Sequence, residues 1–307
     1  MKNAHPKVAP RVMSEKLLLK HVDAFGRSLS GKRPETRGTY QRALREFTRW
    51  FRKDRSFRFR EVDVHRYKRH LKKRRLSDVS IATYLTSLRR FCQFLVDTRV
   101  LGSNPAKRVE GSSRPEAHSR DVLSQEEVTR LLGSVQQDDE RGLRDYAVIR
   151  LMLHCGLSEI EIVRADVGDL TSADGSHVLR VQGKGRVAKD QVVAIPPGVQ
   201  ESLVRYLAVR RGEMGADTPL FASAGNRTRG LRMTTRGIRD RVNFHLERAG
   251  VKGEAPRKVS PYSLRHTAAL MMADGGATAE EIRRRMRLGS DATAMLYINH
   301  KNRQQQP

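Results

Sequence analysis

The sequence predicts a mainly α protein in two parts: an all-helical N-terminal domain, then an α+β domain carrying a small antiparallel β-sheet. Three observations predict it. Apolar residues between positions 14 and 101 recur at three- and four-residue steps, the period of amphipathic helices. β-prone runs are confined to two short stretches, Val178 to Val181 and Gln191 to Ile195, on either side of a Gly-Lys-Gly turn. Between the two patterns lies a polar stretch containing Gly, Ser and Pro, "AKRVEGSSRPEAHSRDV", with the composition of a linker.

Taken in order, residues 1–13 read as a basic tail and residues 14–106 as the helical domain. One helix is predicted over Thr36 to Phe51, with Tyr40, Leu44, Phe47 and Phe51 on one side and Arg42, Arg45 and Arg49 around them. A later one places Ile81, Tyr84, Leu85, Leu88, Phe91, Cys92 and Leu95 on one face, so that it packs inward and presents Arg89 and Arg90 outward. Gly102 and Pro105 of "LGSNP" are expected to stop it, and residues 107–122 to form the linker. The second domain, 123–307, opens at "LSQEEVTRLL", where Ser124 and Glu127 have the spacing of a capping box. The two β-runs follow, and helical patterns then return at 199–211, 235–249, 263–274 and 279–287, with a short one near Tyr297.

A chain of 307 residues with 38% hydrophobic content can build two ordinary cores. No apolar stretch is long enough to span a bilayer and "MKNAHPKVAPRV" lacks the apolar segment of a signal peptide, so no membrane association and a cytoplasmic location are expected. Cys92 and Cys155 sit in apolar helical patterns and read as buried free thiols. The ten histidines form no ligand spacing with Cys or carboxylates, so neither a metal nor another cofactor is expected. The net charge of +26 is unevenly spread: residues 1–110 hold 29 Lys and Arg against 10 Asp and Glu, the rest 31 against 24. Such an excess makes a polyanion, nucleic acid, the expected partner, because solubility alone needs far less charge.

Breaking and rejoining a phosphodiester without metal needs a side-chain nucleophile, cations to hold the non-bridging oxygens, and an acid for the departing oxygen. Arg265 suits the second task, since its planar fork binds phosphate and stays charged. Lys184, at the tip of the β-hairpin, suits the third. Taken singly, each has a plainer reading: Arg265 as a structural partner of Glu161 or Asp169, Tyr297 as packing, Lys184 as a solvated turn residue, and "RRRMR" as an exposed helix face.

Together they resemble a known family. "VSPYSLRHTAALMMADGGATAEEIRRRMRLGSDATAMLYINH" is similar to the C-terminal core of the tyrosine recombinases, the phage-integrase and Xer family, whose pattern runs H-x-L-R-H-T, then L-G-H, then a nucleophilic Tyr. Arg265 and Tyr297 match it directly. "VQGKGRVAKDQVVAIP" resembles the family's β-hairpin, whose catalytic lysine falls on Lys184, and "HCGLSEIEIVRADVGDL" resembles its first box, with Glu161 and Asp169 where acids are expected. The N-terminal helices resemble the core-binding domain, so the likeness runs over roughly residues 14–300.

Three positions depart from the pattern: Ser158 stands for an arginine, Tyr262 for a histidine and Ser290 for another histidine. A phenol still donates a hydrogen bond but does not exchange protons near neutral pH, and serine reaches only a short way. Loss of one of two charged clamps costs about 2–4 kcal/mol of transition-state stabilisation, by analogy with removing an oxyanion donor. The resemblance therefore implies a site-specific DNA recombinase of reduced activity, in which His266 or an arginine of the Arg283 to Arg287 run compensates. On this reading Ser158→Arg raises cleavage. The alternative is a degenerate DNA-binding accessory or regulatory protein on the same scaffold.

In the active reading Tyr297 forms a 3′-phosphotyrosyl link, Arg265 and Tyr262 hold the phosphate, Lys184 protonates the 5′ oxygen, and Ser158 and Ser290 give weaker hydrogen bonds. Arg42, Arg45, Arg89 and Arg90 are the expected DNA-binding residues of the first domain. The family further implies two domains gripping double-stranded DNA in a C-shaped clamp, and a tetramer on two sites, with or without a partner recombinase. Ten residues follow Tyr297, so a short docking segment for the neighbouring subunit is expected.

Overall fold

The structure is a computed structural model; it describes residues 13–54, 56–111, 121–173, 175–183, 185–212, 214–225, 228–253 and 257–304. The chain divides into two compact units, Met1–Pro115 and Glu116–Pro307.

The first unit is helical: α1 (Glu15–Ser28), α2 (Pro34–Lys53), α3 (Glu61–Lys73) and α4 (Asp78–Asp97). Ser14 caps α1 by accepting from the Leu17 amide and Ser77 caps α4 by accepting from the Ser80 amide, while Pro34 pre-sets the first turn of α2. The apolar faces meet in a core rich in aromatic rings, where Phe47 packs edge-on to Tyr67 at 5.2 Å and Phe57 to Phe59 at 4.9 Å. Edge-to-face contacts suit the ring quadrupoles and add to the area buried.

Three details differ from the sequence expectation. The last helix stops at Asp97, ahead of Gly102: Arg99 takes a left-handed φ of 58°, and the amides of Val100 and Leu101 both turn back to the Leu95 carbonyl. The expected linker starts inside the first unit, since Ala106 and Val109 are buried in its core and Lys68 Nζ donates to the Glu110 carbonyl. Arg89 faces inward, donating to the carbonyls of Ala106 at 3.1 Å and Val109 at 2.8 Å, so it ties that segment to α4.

The second unit contains α5 (Gln125–Ser134), α6 (Glu140–His154), α7 (Glu159–Arg164), β1 (Leu170–Ala173), β2 (Ser176–Val181), β3 (Gln191–Ala194), α8 (Pro197–Val209), α9 (Thr235–Arg248), α10 (Pro261–Asp274), α11 (Ala279–Arg285) and α12 (Asp291–Gln304). Ser124 and Glu127 form the expected capping box, the Ser124 amide donating to the Glu127 carboxylate at 2.8 Å. The sheet is antiparallel in the order β1-β2-β3, with Leu170 opposite Leu179 and Val178 opposite Ala194. Strand β1 adds to the two predicted runs: Thr171, Ser172 and Ala173 are exposed and show no alternation, and Gly175, at a φ of 73°, helps turn β1 back along β2.

Helix α10 lies at the centre of this unit, in contact with α6, α9, α11 and α12. Its residues Ala268, Ala269 and Ala273 are small and buried, which lets α11 and α12 approach closely, and Ile282, Met286, Ala294 and Tyr297 complete that cluster. Cys92 and Cys155 are buried free thiols. Among the described residues no helix is long and apolar enough to cross a membrane.

Candidate active site

Helix α10 begins with Pro261 in its first turn, and the Ser260 amide donates to the Ser263 hydroxyl. The next residues, Leu264 to Leu270, are all buried, which carries Arg265 and His266 into the interior. A buried guanidinium needs partners. Arg265 Nη1 donates to Glu161 Oε2 at 2.9 Å, and its Nη2 reaches the Met286 carbonyl. Glu161 is 2% exposed and also receives Arg287, whose Nε donates to Oε1 at 2.6 Å and Nη2 to Oε2 at 3.1 Å. Both arginines additionally donate to the Gly156 carbonyl. Burial alone would raise the Glu161 carboxyl, but the Arg287 and Arg265 charges and the Ser158 amide overcome it and hold it at about 2.

The turn from α6 into α7 makes this convergence possible. Gly156 has a φ of 59°, and a Cβ there would stand 2.4 Å from Met286 Sδ. The turn and the segment after α11 are thus pressed together, bringing Met286 and Arg287 onto the start of α7. Arg287 itself holds a φ of 54°, a conformation that costs a non-glycine residue of order 1 kcal/mol or more and here is tied by four hydrogen bonds of its own side chain.

One turn beyond Tyr262 on the same helix, His266 places Nδ1 2.7 Å from Tyr297 Oη. Tyr297 is 3% exposed, and burial pushes its phenol up, with Tyr262 adding and the nearby Arg265 offsetting part of the rise. Its hydroxyl is therefore held neutral, next to a group that can accept its proton. Tyr262 is 41% exposed and packs edge-on to His266 with ring centroids 4.7 Å apart. Tyr262, His266 and Tyr297 line an open cleft of about 810 Å³, with Arg239 and Lys252 also on its wall. Arg265 and Arg287 do not line this cleft; they are held behind it on Glu161.

The remaining predicted residues fall as follows. Ser158 is the N-cap of α7 and donates both amide and hydroxyl to Glu161 Oε2, each at 2.8 Å. Ser290 is exposed and paired with the Thr293 hydroxyl at 3.1 Å. Asp169 is engaged by Lys189 and stands apart from Arg265. Lys184 lies outside the described residues; nearby in the sequence, Gln182 Nε2 donates to the carbonyls of Arg186 and Val187. The sequence offered Glu161 as a partner for Arg265 and the Arg283 to Arg287 run as a source of a further cation, but not that Arg287 is the one that joins Arg265 on Glu161: only the left-handed turn at Arg287 directs that one side chain inward.

In the first unit, α1 and α2 enclose a groove of about 1140 Å³ lined by Arg27, Arg37, Arg45, Arg49 and Arg52. Arg45 is thus on the groove, Arg42 is exposed beside it, and Arg90 is exposed on α4. The signal for this stripe was present in the four-residue step from Arg45 to Arg49, continued by Arg52 and preceded by Arg37 two turns back.

Residues 121–304 match the phage integrase family, and residues 22–99 match the phage integrase N-terminal SAM-like domain. The chain is similar to the tyrosine recombinase XerD of Shewanella oneidensis, 28% identical over 288 residues and 91% of each protein. It is 32% identical over 225 residues to the tyrosine recombinase XerC of Myxococcus xanthus, covering 71% of this chain and 70% of that one. Among solved structures, its fold is similar to the XerH site-specific recombinase bound to palindromic difH substrate, with a TM-score of 0.73 at 17% identity over 95% of this chain and 82% of that one. A lambda integrase dimer bound to a COC′ core site gives 0.72 at 13% identity, over 94% and 79%.

Proposed function

The chain belongs to the phage integrase family and is a tyrosine-type site-specific DNA recombinase; from that membership we propose the roles of its residues. Tyr297 is the nucleophile. The observation that carries this is the 2.7 Å contact between its hydroxyl and His266 on the wall of an open cleft that Arg239, Lys252 and Glu159 also line. Attack by Oη on the scissile phosphate forms a Tyr297 Oη–P bond as the P–O5′ bond breaks, leaving a 3′-phosphotyrosyl link. The Tyr297 proton passes to His266 Nδ1 in the tautomer that carries its own proton on Nε2, and this transfer takes the place of ionising a buried phenol. Lys184 gives a proton to the departing 5′ oxygen, an assignment supported by the hairpin motif in the sequence. Rejoining runs the same steps backward with a new 5′ hydroxyl, so the bond energy is conserved and no cofactor enters.

Arg265 supplies positive charge for the non-bridging oxygens, and Tyr262, at the cleft mouth, donates a hydrogen bond. Ser158 and Ser290 contribute less: one is spent on Glu161 and the other on Thr293. The protein binds double-stranded DNA, as the relatives solved with core-site and difH DNA do. The arginine groove of α1 and α2, together with the exposed Arg42 and Arg90, grips the phosphate backbone. Assembly is a tetramer on two sites, alone or with a partner recombinase, and the reaction takes place in the cytoplasm. A cleavage-incompetent accessory role is not favoured, because binding alone has no use for a phenol held against a proton acceptor.

The test is a nicked suicide substrate carrying the cognate site. The wild-type protein is expected to accumulate a covalent protein–DNA adduct and Tyr297→Phe none, with equal binding by both. Tight binding without any adduct from the wild type contradicts the assignment.

A further inference from the structure

The Arg265–Glu161 contact raises a question of charge. A lone guanidinium paired with a buried carboxylate is neutral as a unit, and offers little field to a phosphate whose charge is building up. In this protein the carboxylate carries a second guanidinium. Arg287 binds both oxygens of Glu161, at 2.6 and 3.1 Å, with a side chain 4% exposed, and shares the Gly156 carbonyl with Arg265. The trio Arg265, Arg287 and Glu161 therefore keeps one net positive charge. Position 158, at the N-cap of the same helix as Glu161, holds a serine whose hydroxyl reaches only that carboxylate.

We propose that Arg287 is a positioning residue for strand cleavage: it takes up Glu161 so that the charge of Arg265 stays uncompensated for the scissile phosphate, replacing from the far side the arginine absent at position 158. This inference rests on the recombinase reading above. Its location explains why an arginine is kept in a left-handed turn where glycine would be cheaper: the side chain is needed at that point, and the φ of 54° is what aims it at α7. It also changes the expectation for Ser158→Arg. With Arg287 already on both oxygens of Glu161, an arginine added at 158 alone meets an occupied carboxylate and gives no gain in cleavage.

The experiment compares adduct formation on two nicked substrates, one with the ordinary scissile phosphodiester and one with a neutral methylphosphonate at that position. Arg287→Met is expected to slow adduct formation on the phosphodiester by about 100- to 1000-fold, the range for loss of one electrostatic donor, and by less than tenfold on the methylphosphonate, whose missing charge needs no partner. Ser158→Arg combined with Arg287→Met is expected to return the phosphodiester rate to within about tenfold of wild type, and Arg287→Lys, which keeps the charge but loses the two-oxygen fork, to recover part of it. Equal losses on both substrates, a wild-type rate in Arg287→Met, or an Arg287→Lys protein that folds and binds DNA yet is as slow as Arg287→Met would overturn the proposal. Should Arg287→Met fail to fold, the lysine and double variants decide it by the same two-substrate ratio. Wild-type adduct on the phosphodiester separates this outcome from failure of the recombinase reading, which would remove the adduct from every variant.

Discussion

Glu161 is the residue on which the site's electrostatics turn, and its behaviour with pH follows from its surroundings. Its carboxyl is held at about 2 in the folded protein against an ordinary 4.5. A depressed carboxyl contributes stability that is fully present above its unfolded value and is lost as pH falls through the folded one. The wild type is therefore expected to lose melting temperature between pH 5 and pH 2 more steeply than Glu161→Gln, which lacks this titration but keeps every other carboxylate. Parallel melting curves across that window would contradict the assignment. At this scale the sequence made Arg265, His266 and Tyr297 visible, because each sits in a motif of fixed spacing. It offered Glu161 or Asp169 as partners of Arg265 without deciding between them, and did not reveal the Gly156 and Met286 carbonyls, which packing alone brings in from 109 and 21 residues away.

Among the elements, α10 and the α6–α7 turn do the positioning. The alternation of Arg265 and His266 with apolar neighbours looked like a helix start beside a core, and the structure extends this: the helix is buried on nearly every side, so both polar side chains must be satisfied internally. The turn is set by Gly156, whose positive φ and contact with Met286 exclude a side chain. Gly156→Ala is expected to destabilise the fold by about 1–3 kcal/mol and to lower adduct formation at least tenfold, because the carbonyl shared by Arg265 and Arg287 moves with the backbone. Thermal melts and single-turnover cleavage check the two parts, and an unchanged cleavage rate would show that the turn does not aim the arginines. Helices with strong amphipathic spacing, such as α2 and α4, were legible to within a few residues. Strand β1 was not, because its exposed Thr-Ser-Ala segment is held by pairing to β2 and carries no pattern of its own. The end of α4 differs from the sequence expectation for a related reason: a left-handed Arg99, a conformation rare outside glycine, stops the helix ahead of Gly102.

For the molecule as a whole, the net charge of +26, concentrated in residues 1–110, made nucleic acid the expected partner before any motif was considered. The structure gives part of that charge a location, the arginine groove between α1 and α2. If Arg37 and Arg45 each neutralise a phosphate there, the double change Arg37→Gln with Arg45→Gln reduces the slope of log affinity against log salt by about 2, at about 0.9 per contact, while leaving sequence preference intact. A slope equal to wild type would move the phosphate contacts off this groove. Charge and helix pattern were thus readable over the whole chain, and so was the Arg283 to Arg287 run as a source of a further cation; that Arg287 is the one that reaches Glu161 could be read only from the packed fold. Covalent joining of Tyr297 to DNA can be read by digesting the trapped adduct and identifying the modified peptide by mass spectrometry. A nucleotide phosphate on Tyr297 is expected; a phosphate on Tyr262, on Ser158 or on no residue at all would contradict it.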